Sequence, residues 1–474
     1  MTEFPDHSAT PNAKHPPPTP HLFHQLCVCG GYFWHITDIH YDANYAATAD
    51  YAQSCKRSAV DQELYMERPS LPSGNGRLGD YGCDSPWALV QSAVKAMKEK
   101  HGDNIEFVLW SGDSVSSDVV DLPTRVMAIQ NVTNLLTQTF SSQFVFPVLG
   151  HDDPGALKNK LIDYTSLGHY WRQWLPTDAI QTFNKGGYYT IEQKGNKLRI
   201  IALNSNAFST VERQRNVVNP KEQLEWLEKI LKKSVMNKET VYLVSHMCPG
   251  ANERDQDEAP SFQDVYSTSY MDMIRRYAHI IVGQFCGHLH SDTFRIVYDE
   301  NKKPVSWMMV TPSLTPNKSP GVSNNPGLRL YKFNTNTGHI IDYTQYYIDL
   351  ESSPNGDPDD WRIEYNLTHY YGLHEITPRS LHAIAETFQD DDSAQFDRYI
   401  EANSVRQFKP KDCNLECRRA QYCAVTELDY GRFHSCVETA AEALSGSVRL
   451  RGNETLFAAV VLLTAMALNV HRHH

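Results

Sequence analysis

The sequence has no excess of basic charge: 44 lysines and arginines face 56 aspartates and glutamates, for a formal net charge of −12. Without a basic footprint a nucleic-acid polymer is excluded as a partner, while single nucleotides and phospholipid headgroups held through a metal are not. Met1 to Pro20 lacks the apolar stretch of a secretory signal, and His21 to Gly31 is too short and too polar to supply one. Segment 1–31 is therefore expected to be a disordered leader or an incorrectly assigned start. The four C-terminal cysteines lack the paired Cys-x-x-Cys spacing of a zinc knuckle. No internal repeat is visible.

What is present suits a globular chain. Its 474 residues can bury a large core and allow two or three domains, and the hydrophobic (41%) and charged (21%) fractions are ordinary. Six of the ten cysteines, Cys55, Cys83, Cys413, Cys417, Cys423 and Cys436, sit in loop-like or helical contexts. That distribution suits disulfides in an oxidising compartment. Three sequons before the tail, at Asn131, Asn317 and Asn366, agree with secretion, although Pro320 weakens the second. Near the C-terminus the small residues Ser445-Gly446-Ser447 precede a polar spacer, Val448 to Thr455. An uncharged apolar tail, Leu456 to Val470, follows and is shorter than the roughly 20 residues of a spanning helix. Triplet, spacer and tail form a GPI-attachment pattern, so 445–474 is expected to direct a membrane anchor on the extracellular face. A secreted or lysosomal protein is the alternative.

Between these ends, short apolar strands alternate with amphipathic helices. Tyr32 to Ile36 reads as a strand and ends in Thr37-Asp38-Ile39-His40. A long loop from Ala43 to Asp84 follows, then a helix over Pro86 to Lys100 with proline in its first turn. Phe107 to Trp110 discharges into Ser111-Gly112-Asp113-Ser114, and Arg125 to Thr139 is helical again. Phe144 to Leu149 ends in Gly150-His151-Asp152-Asp153, and Leu198 to Leu203 in Asn204-Ser205-Asn206. An amphipathic helix from Pro220 to Lys233 leads to the strand Val241 to Val244, which ends in Ser245-His246. The apolar run Ile280-Ile281-Val282 passes through Gly-Gln-Phe-Cys-Gly to His288-Leu289-His290. Strands over Trp307 to Val310, Leu328 to Phe333 and Ile341 to Tyr347 complete this part; beyond Glu351 come a polar loop and helices from Thr377 to about Ala443.

Alternating elements with polar residues just past the strand ends place a site where open α/β sheets put theirs. The strand-end set is Asp38, His40, Asp113, His151, Asp152, Asp153, His246, His288 and His290. Carboxylates mixed with imidazoles, with one aspartate able to bridge, suit two divalent ions about 3.5–4 Å apart. Such a pair can hold a bridging hydroxide and clamp a phosphoryl group for in-line attack.

In this order the blocks resemble the calcineurin-like metallophosphoesterases, which read DxH, GD, GNHD/E, H and GHxH. Longer stretches, among them WHITDIHYD, GCDSPWALV, LWSGDS, NNPGLRLY and YGLHEITPRSLH, are similar to acid sphingomyelinase-like phosphodiesterases. The similarity runs from about Tyr32 to about Cys436, and the tail resembles the membrane-anchored 3b-type branch. It implies a four-layer α/β/β/α sandwich over 32–350 and a small helical, disulfide-bonded subdomain over 351–444. It further implies two zinc ions, one on Asp38, His40 and His290, the other on His246 and His288, with Asp113 bridging. The implied disulfides are Cys55–Cys83, Cys413–Cys417 and Cys423–Cys436.

One block departs from the pattern. Where the family reads Gly-Asn-His-Asp, this chain reads Gly150-His151-Asp152-Asp153. The family's Asn ligates the second metal and its His is the general acid for the leaving oxygen. In an ungapped register His151 replaces the ligand and Asp152 the acid; in a gapped register His151 is the acid and the Asn ligand is missing. An ordinary aspartic acid, with a pKa of about 3.9, is mostly ionised even in an acidic compartment. Losing a general acid typically costs about 10²–10⁴-fold. Two functions follow as expectations: a zinc-dependent phosphodiesterase acting on sphingomyelin-like phospholipids or nucleotides, or a weakened pseudoenzyme serving as a surface receptor or scaffold.

Overall fold

The computed structural model describes residues 30–45, 77–119, 121–153, 164–193, 197–210, 218–317, 323–352, 357–358 and 360–438. The leader, most of the Ala43–Asp84 segment with Cys55, and the tail 445–474 lie outside the described residues.

Twelve strands among them form two six-stranded sheets. They are β1 (Gly30–Ile36), β2 (Phe107–Trp110), β3 (Phe144–Pro147), β4 (Tyr189–Gln193), β5 (Leu198–Leu203), β6 (Thr240–Ser245), β7 (Ile281–Cys286), β8 (Thr293–Tyr298), β9 (Pro304–Val310), β10 (Gly327–Asn334), β11 (Ile340–Tyr347) and β12 (Arg362–Asn366). The helices used below are α1 (Trp87–His101), α2 (Leu122–Thr139), α3 (Tyr164–Trp171), α4 (Thr177–Gly186), α5 (Pro220–Asn237), α6 (Asp264–Tyr277), α7 (Leu367–Tyr371), α8 (Pro378–Glu386), α9 (Ala394–Asn403) and α10 (Leu415–Thr426). One sheet has the order β12-β11-β10-β1-β2-β3, the other β4-β5-β6-β7-β9-β8.

The sheets face each other through an aromatic layer. Phe33 of β1 stacks on Phe107 and meets Phe285 of β7 edge-on at 5.5 Å, while Tyr331 of β10 meets Phe285 at 5.0 Å. Alternation on β5 and β6 explains the layering. Ile200, Ala202, Tyr242 and Val244 point into the inter-sheet core. Ile201, Leu203, Val241 and Leu243 point the other way, against Leu224, Leu227 and Leu231 of α5 and Tyr270 and Ile274 of α6. Strands buried on both faces need continuous apolar sequence, which residues 200–203 and 241–244 supply, while Arg199 at the start of β5 is neutralised by Glu239. The helices begin where the chemistry of their starts dictates: Asp121 accepts from the Thr124 amide and Asn219 from those of Lys221 and Glu222, each with proline in the first turn.

The C-terminal helices pack against β8 and β9, and the region is tied by Cys413–Cys417 and Cys423–Cys436. Within the stretch expected to be polar loop, β12 pairs antiparallel with β11 as an edge strand. Its five residues are too short and too mixed in polarity for a period-2 signal to stand out.

Beside β12 lies a buried charge cluster. Asp292 pairs with Arg329 and accepts from the Tyr365 hydroxyl at 2.5 Å. Burial, and next Asp292, push Glu364 well above the ordinary glutamate range, against Arg406 and Arg329. Its Oε2 is shut off from water without a hydrogen-bond partner. A folded-state pKa above the unfolded value means that stability is greatest below 4.5 and falls as pH rises. Glu364→Gln should therefore raise the melting temperature at pH 7.5 by roughly 2–4 °C, the response to about 1 kcal/mol in a large domain. The gain should vanish near pH 4; an equal gain at both pH values, by calorimetry, would refute this account.

Candidate metal centre

Parallel pairing brings the strand exits level. Ile36 pairs with Trp110 and Trp110 with Pro147; in the other sheet Leu203 pairs with Ser245 and Val244 with Phe285. The residues after each strand therefore meet at one edge of the sandwich. Five of them, Asp38, His40, Asp113, His288 and His290, have φ between 43° and 68°. Non-glycine residues held in this left-handed region cost on the order of 1–3 kcal/mol each and gather at functional sites.

Hydrogen bonds between loops hold these conformations. The Asp38 amide donates to Gly112 O at 3.0 Å, the His40 amide to Asp113 O at 2.9 Å, and the Gly287 amide to His246 O at 2.9 Å. Two glycines are required by close approach. A Cβ on Gly150 would lie 2.1 Å from Asp113 Oδ1, and one on Gly287 would lie 2.3 Å from Asp38 Oδ2.

Two separate donor groups result, Asp113, His151, His246 and His288 in the first and Asp38, His40 and His290 in the second, and a third set, His40, Asp113 and Asp152, overlaps both. In the first, His151 Nδ1 and His246 Nε2 lie 2.8 and 3.0 Å from Asp113 Oδ2 and 3.1 Å from each other. In the second, His290 Nε2 and His40 Nε2 lie 3.4 and 3.8 Å from Asp38 Oδ1. His40 Nε2 is also 3.5 Å from Asp113 Oδ2, which places that oxygen between the groups. Ligand atoms around a tetrahedral ion at 2.0–2.1 Å stand about 3.3 Å apart. Asp113 Oδ2, Asp38 Oδ1, His40 Nε2 and His288 Nδ1 are buried and receive no directed hydrogen bond. Lone pairs that converge without donors are what a cation satisfies, so the residues fit a pair of divalent ions.

The Gly150–Asp153 turn has a definite geometry. Asp153 accepts from the amides of Gly150 (2.8 Å), Asp113 (3.0 Å) and Ser114 (2.7 Å), pinning the turn to the β2 exit. This puts His151 in the first donor group. Asp152 is buried beside it, with Oδ2 3.4 Å from His151 Nε2 and 3.9 Å from His40 Nδ1, and can share a cation with His40 and Asp113.

Electrostatics match the geometry. Burial opposes ionisation of Asp38 and Asp113, but the neighbouring imidazoles (His290 and His246; His151 and His246) hold both well below the usual carboxylate range. Burial likewise opposes charge on His40 and His246, yet the carboxylates push them up to about 10 and about 9. His288 goes the opposite way, held down by burial and by His151 and His246. Metal ligation requires neutral imidazole, so loading displaces protons from His40 and His246.

Other residues at this edge carried no assignment from sequence. Buried His35 bridges Ser111 Oγ and Thr311 Oγ1, both at 2.7 Å, and burial lowers its pKa to about 3, so it stays neutral. Asp84 accepts from Thr315 Oγ1 and Asn317 Nδ2, both at 3.2 Å, and Asn317 O meets His290 Nδ1 at 2.9 Å. A disulfide joins Cys248 to Cys286. His35 and Asp84 lie inside the WHITDIHYD and GCDSPWALV stretches, whereas Thr311, Thr315 and the Cys248–Cys286 pairing had no sequence signal.

Comparison with known proteins agrees with this architecture. The calcineurin-like phosphoesterase profile matches residues 31–292, and the acid sphingomyelin phosphodiesterase C-terminal region profile matches 303–443. The chain is 34% identical over 418 residues to the cyclic GMP-AMP phosphodiesterase SMPDL3A of Bos taurus, covering 86% of this chain and 90% of that one. It is 32% identical over 426 residues to the acid sphingomyelinase-like phosphodiesterase 3b of Homo sapiens, covering 86% and 90%. Against sphingomyelinase phosphodiesterase C of Dictyostelium discoideum it is 30% identical over 426 residues, covering 86% and 92%. With both profiles in tandem and relatives aligned over most of their length, the chain belongs to the acid sphingomyelinase-like phosphodiesterases of the calcineurin-like metallophosphoesterase superfamily.

Proposed function

We propose that the chain is an extracellular, zinc-dependent enzyme that hydrolyses phosphoester bonds in sphingomyelin-like phospholipids or in nucleotides. The observation that carries this reading is the convergence of Asp113 Oδ2, His151 Nδ1 and His246 Nε2 within 3.1 Å of one another. Imidazole-rich donor sets favour zinc over magnesium or calcium, which take oxygen ligands. Asp38, His40 and His290 hold one ion, His151, His246 and His288 the other, and Asp113 is shared. A bound pair of such ions lowers the pKa of water to about 7 and neutralises charge on phosphoryl oxygens. The chain's own contribution is to fix those ligands on strained, cross-bonded turns and to set Asp152 beside them for the leaving group. Metal analysis of purified protein, with turnover of bis(p-nitrophenyl) phosphate from pH 4 to 8, tests the reading. Two zinc ions per chain with turnover support it; two ions with none at any pH would favour the receptor or scaffold role.

The anchor completes the proposal: residues 445–474, outside the described residues, direct GPI attachment. No helix among the described residues is long and apolar enough to cross a membrane. A phosphatidylinositol-specific phospholipase should release the protein from cells; retention in the membrane fraction would count against the anchor.

A further inference from the structure

We infer that the Cys248–Cys286 disulfide positions His288, and that retention of the second ion depends on it. The inference rests on the dimetal reading above. Cys248 stands two residues after His246 and Cys286 two before His288, so the bond ties together the two exits that carry these histidines. The exits are otherwise joined by the Gly287 amide donating to His246 O at 2.9 Å.

His288 needs this support more than His246 and His290 do. His246 Nδ1 is anchored on Ser111 O and His290 Nδ1 on Asn317 O, each at 2.9 Å. Neither ring nitrogen of His288 is hydrogen-bonded by a described residue, so the nitrogen turned away from the ion has no anchor among them. Its ring meets the imidazoles of His151 at 4.8 Å and His246 at 5.1 Å. Metal-ligating histidines usually have a second hydrogen bond that fixes ring orientation, and removing it costs about 10–100-fold in metal affinity. The His288 backbone is also strained, at φ 68°. Hydrogen bonds around it include those of the His288 amide to Asp38 Oδ2 at 2.9 Å, the Leu289 amide to Gly287 O at 2.8 Å and the Thr311 amide to Cys286 O at 2.8 Å. With the ring untethered, its position is set by the backbone, and Cys286 is where that backbone is covalently held. The sulfur is packed with Leu289 and Val310, and the Cys248 end is half-buried, open to a reductant. A dithiol would pass two electrons and two protons to the cystine, leaving two thiols and itself as a cyclic disulfide.

The test loads metal-stripped full-length protein with Zn²⁺ alone and measures stoichiometry and affinity, without reference to activity. Wild type and a C413A/C417A control should bind two ions. C248A/C286A should hold one tightly and the second about 10–100-fold more weakly. Equal affinity for both ions in C248A/C286A would overturn the inference and leave the dimetal reading standing. Wild type binding fewer than two would overturn both. Should C248A/C286A not fold, folded wild type can be opened with limited dithiothreitol and alkylated, the opened cystine being mapped by mass spectrometry. An undiminished second ion in protein alkylated at Cys248 and Cys286 would again overturn it.

Discussion

An Asp113→Asn protein should bind both ions weakly and turn over phosphodiesters about 10³-fold or more slowly than wild type. The reason is position: Asp113 Oδ2 lies within 3.5 Å of donor atoms from His40, His151 and His246, one from one donor group and two from the other. An amide oxygen ligates less strongly than a carboxylate. Without the ions, the pKa of the attacking water returns from about 7 toward 15.7. Asparagine tolerates the left-handed backbone that Asp113 adopts at φ 50°, so the fold should survive and the loss can be assigned to chemistry. Zinc content, circular dichroism and initial rates on one preparation would measure it. Turnover within tenfold of wild type would remove Asp113 from the proposed shared position.

The second large effect is a gain. His151→Asn with Asp152→His rebuilds Gly-Asn-His-Asp over 150–153 and should raise turnover by about 10²–10⁴-fold, the usual worth of a general acid. The geometry that motivates the exchange is that Asp153 caps the turn while His151 faces Asp113 and His246 and the Asp152 carboxylate lies 3.4 Å from His151 Nε2. An imidazole at position 152 can donate a proton near neutral pH. Rates from pH 4 to 8, with zinc content alongside, distinguish the possibilities. A fall in rate at full zinc content would mean that His151 is itself the proton donor.

Much of the fold and of the candidate site is legible because each chemical side chain follows a short apolar strand closely. Strands over Phe107–Trp110 and Leu198–Leu203 have the expected bounds, and the residues behind them fall at the common edge. His288 and His290 fall into different donor groups. The turn at 150–153 is harder, because a substitution and a shift read identically along a line. The fold adds what the line lacks: the Asp153 carboxylate accepts three amides, two of them about forty residues away in sequence, and His151 meets Asp113 and His246. The Cys248–Cys286 bond spans 38 residues, with one partner inside an apolar strand, and a buried cysteine in such a run reads as core. The role of His35 is illegible for a similar reason: its partners, Ser111 and Thr311, are ordinary hydroxyls just past the ends of β2 and β9, 76 and 276 residues distant.

Asp38, His40, Asp113, His288 and His290 all stand where glycine would sit more comfortably. In evolutionary terms, such a constellation is a standing invitation to decay. Under relaxed selection for hydrolysis, replacements at these positions would be free to drift toward residues that relieve the backbone, and the chain would gain heat resistance as it lost its reaction. At these five positions heat resistance and the proposed reaction are therefore traded directly against each other.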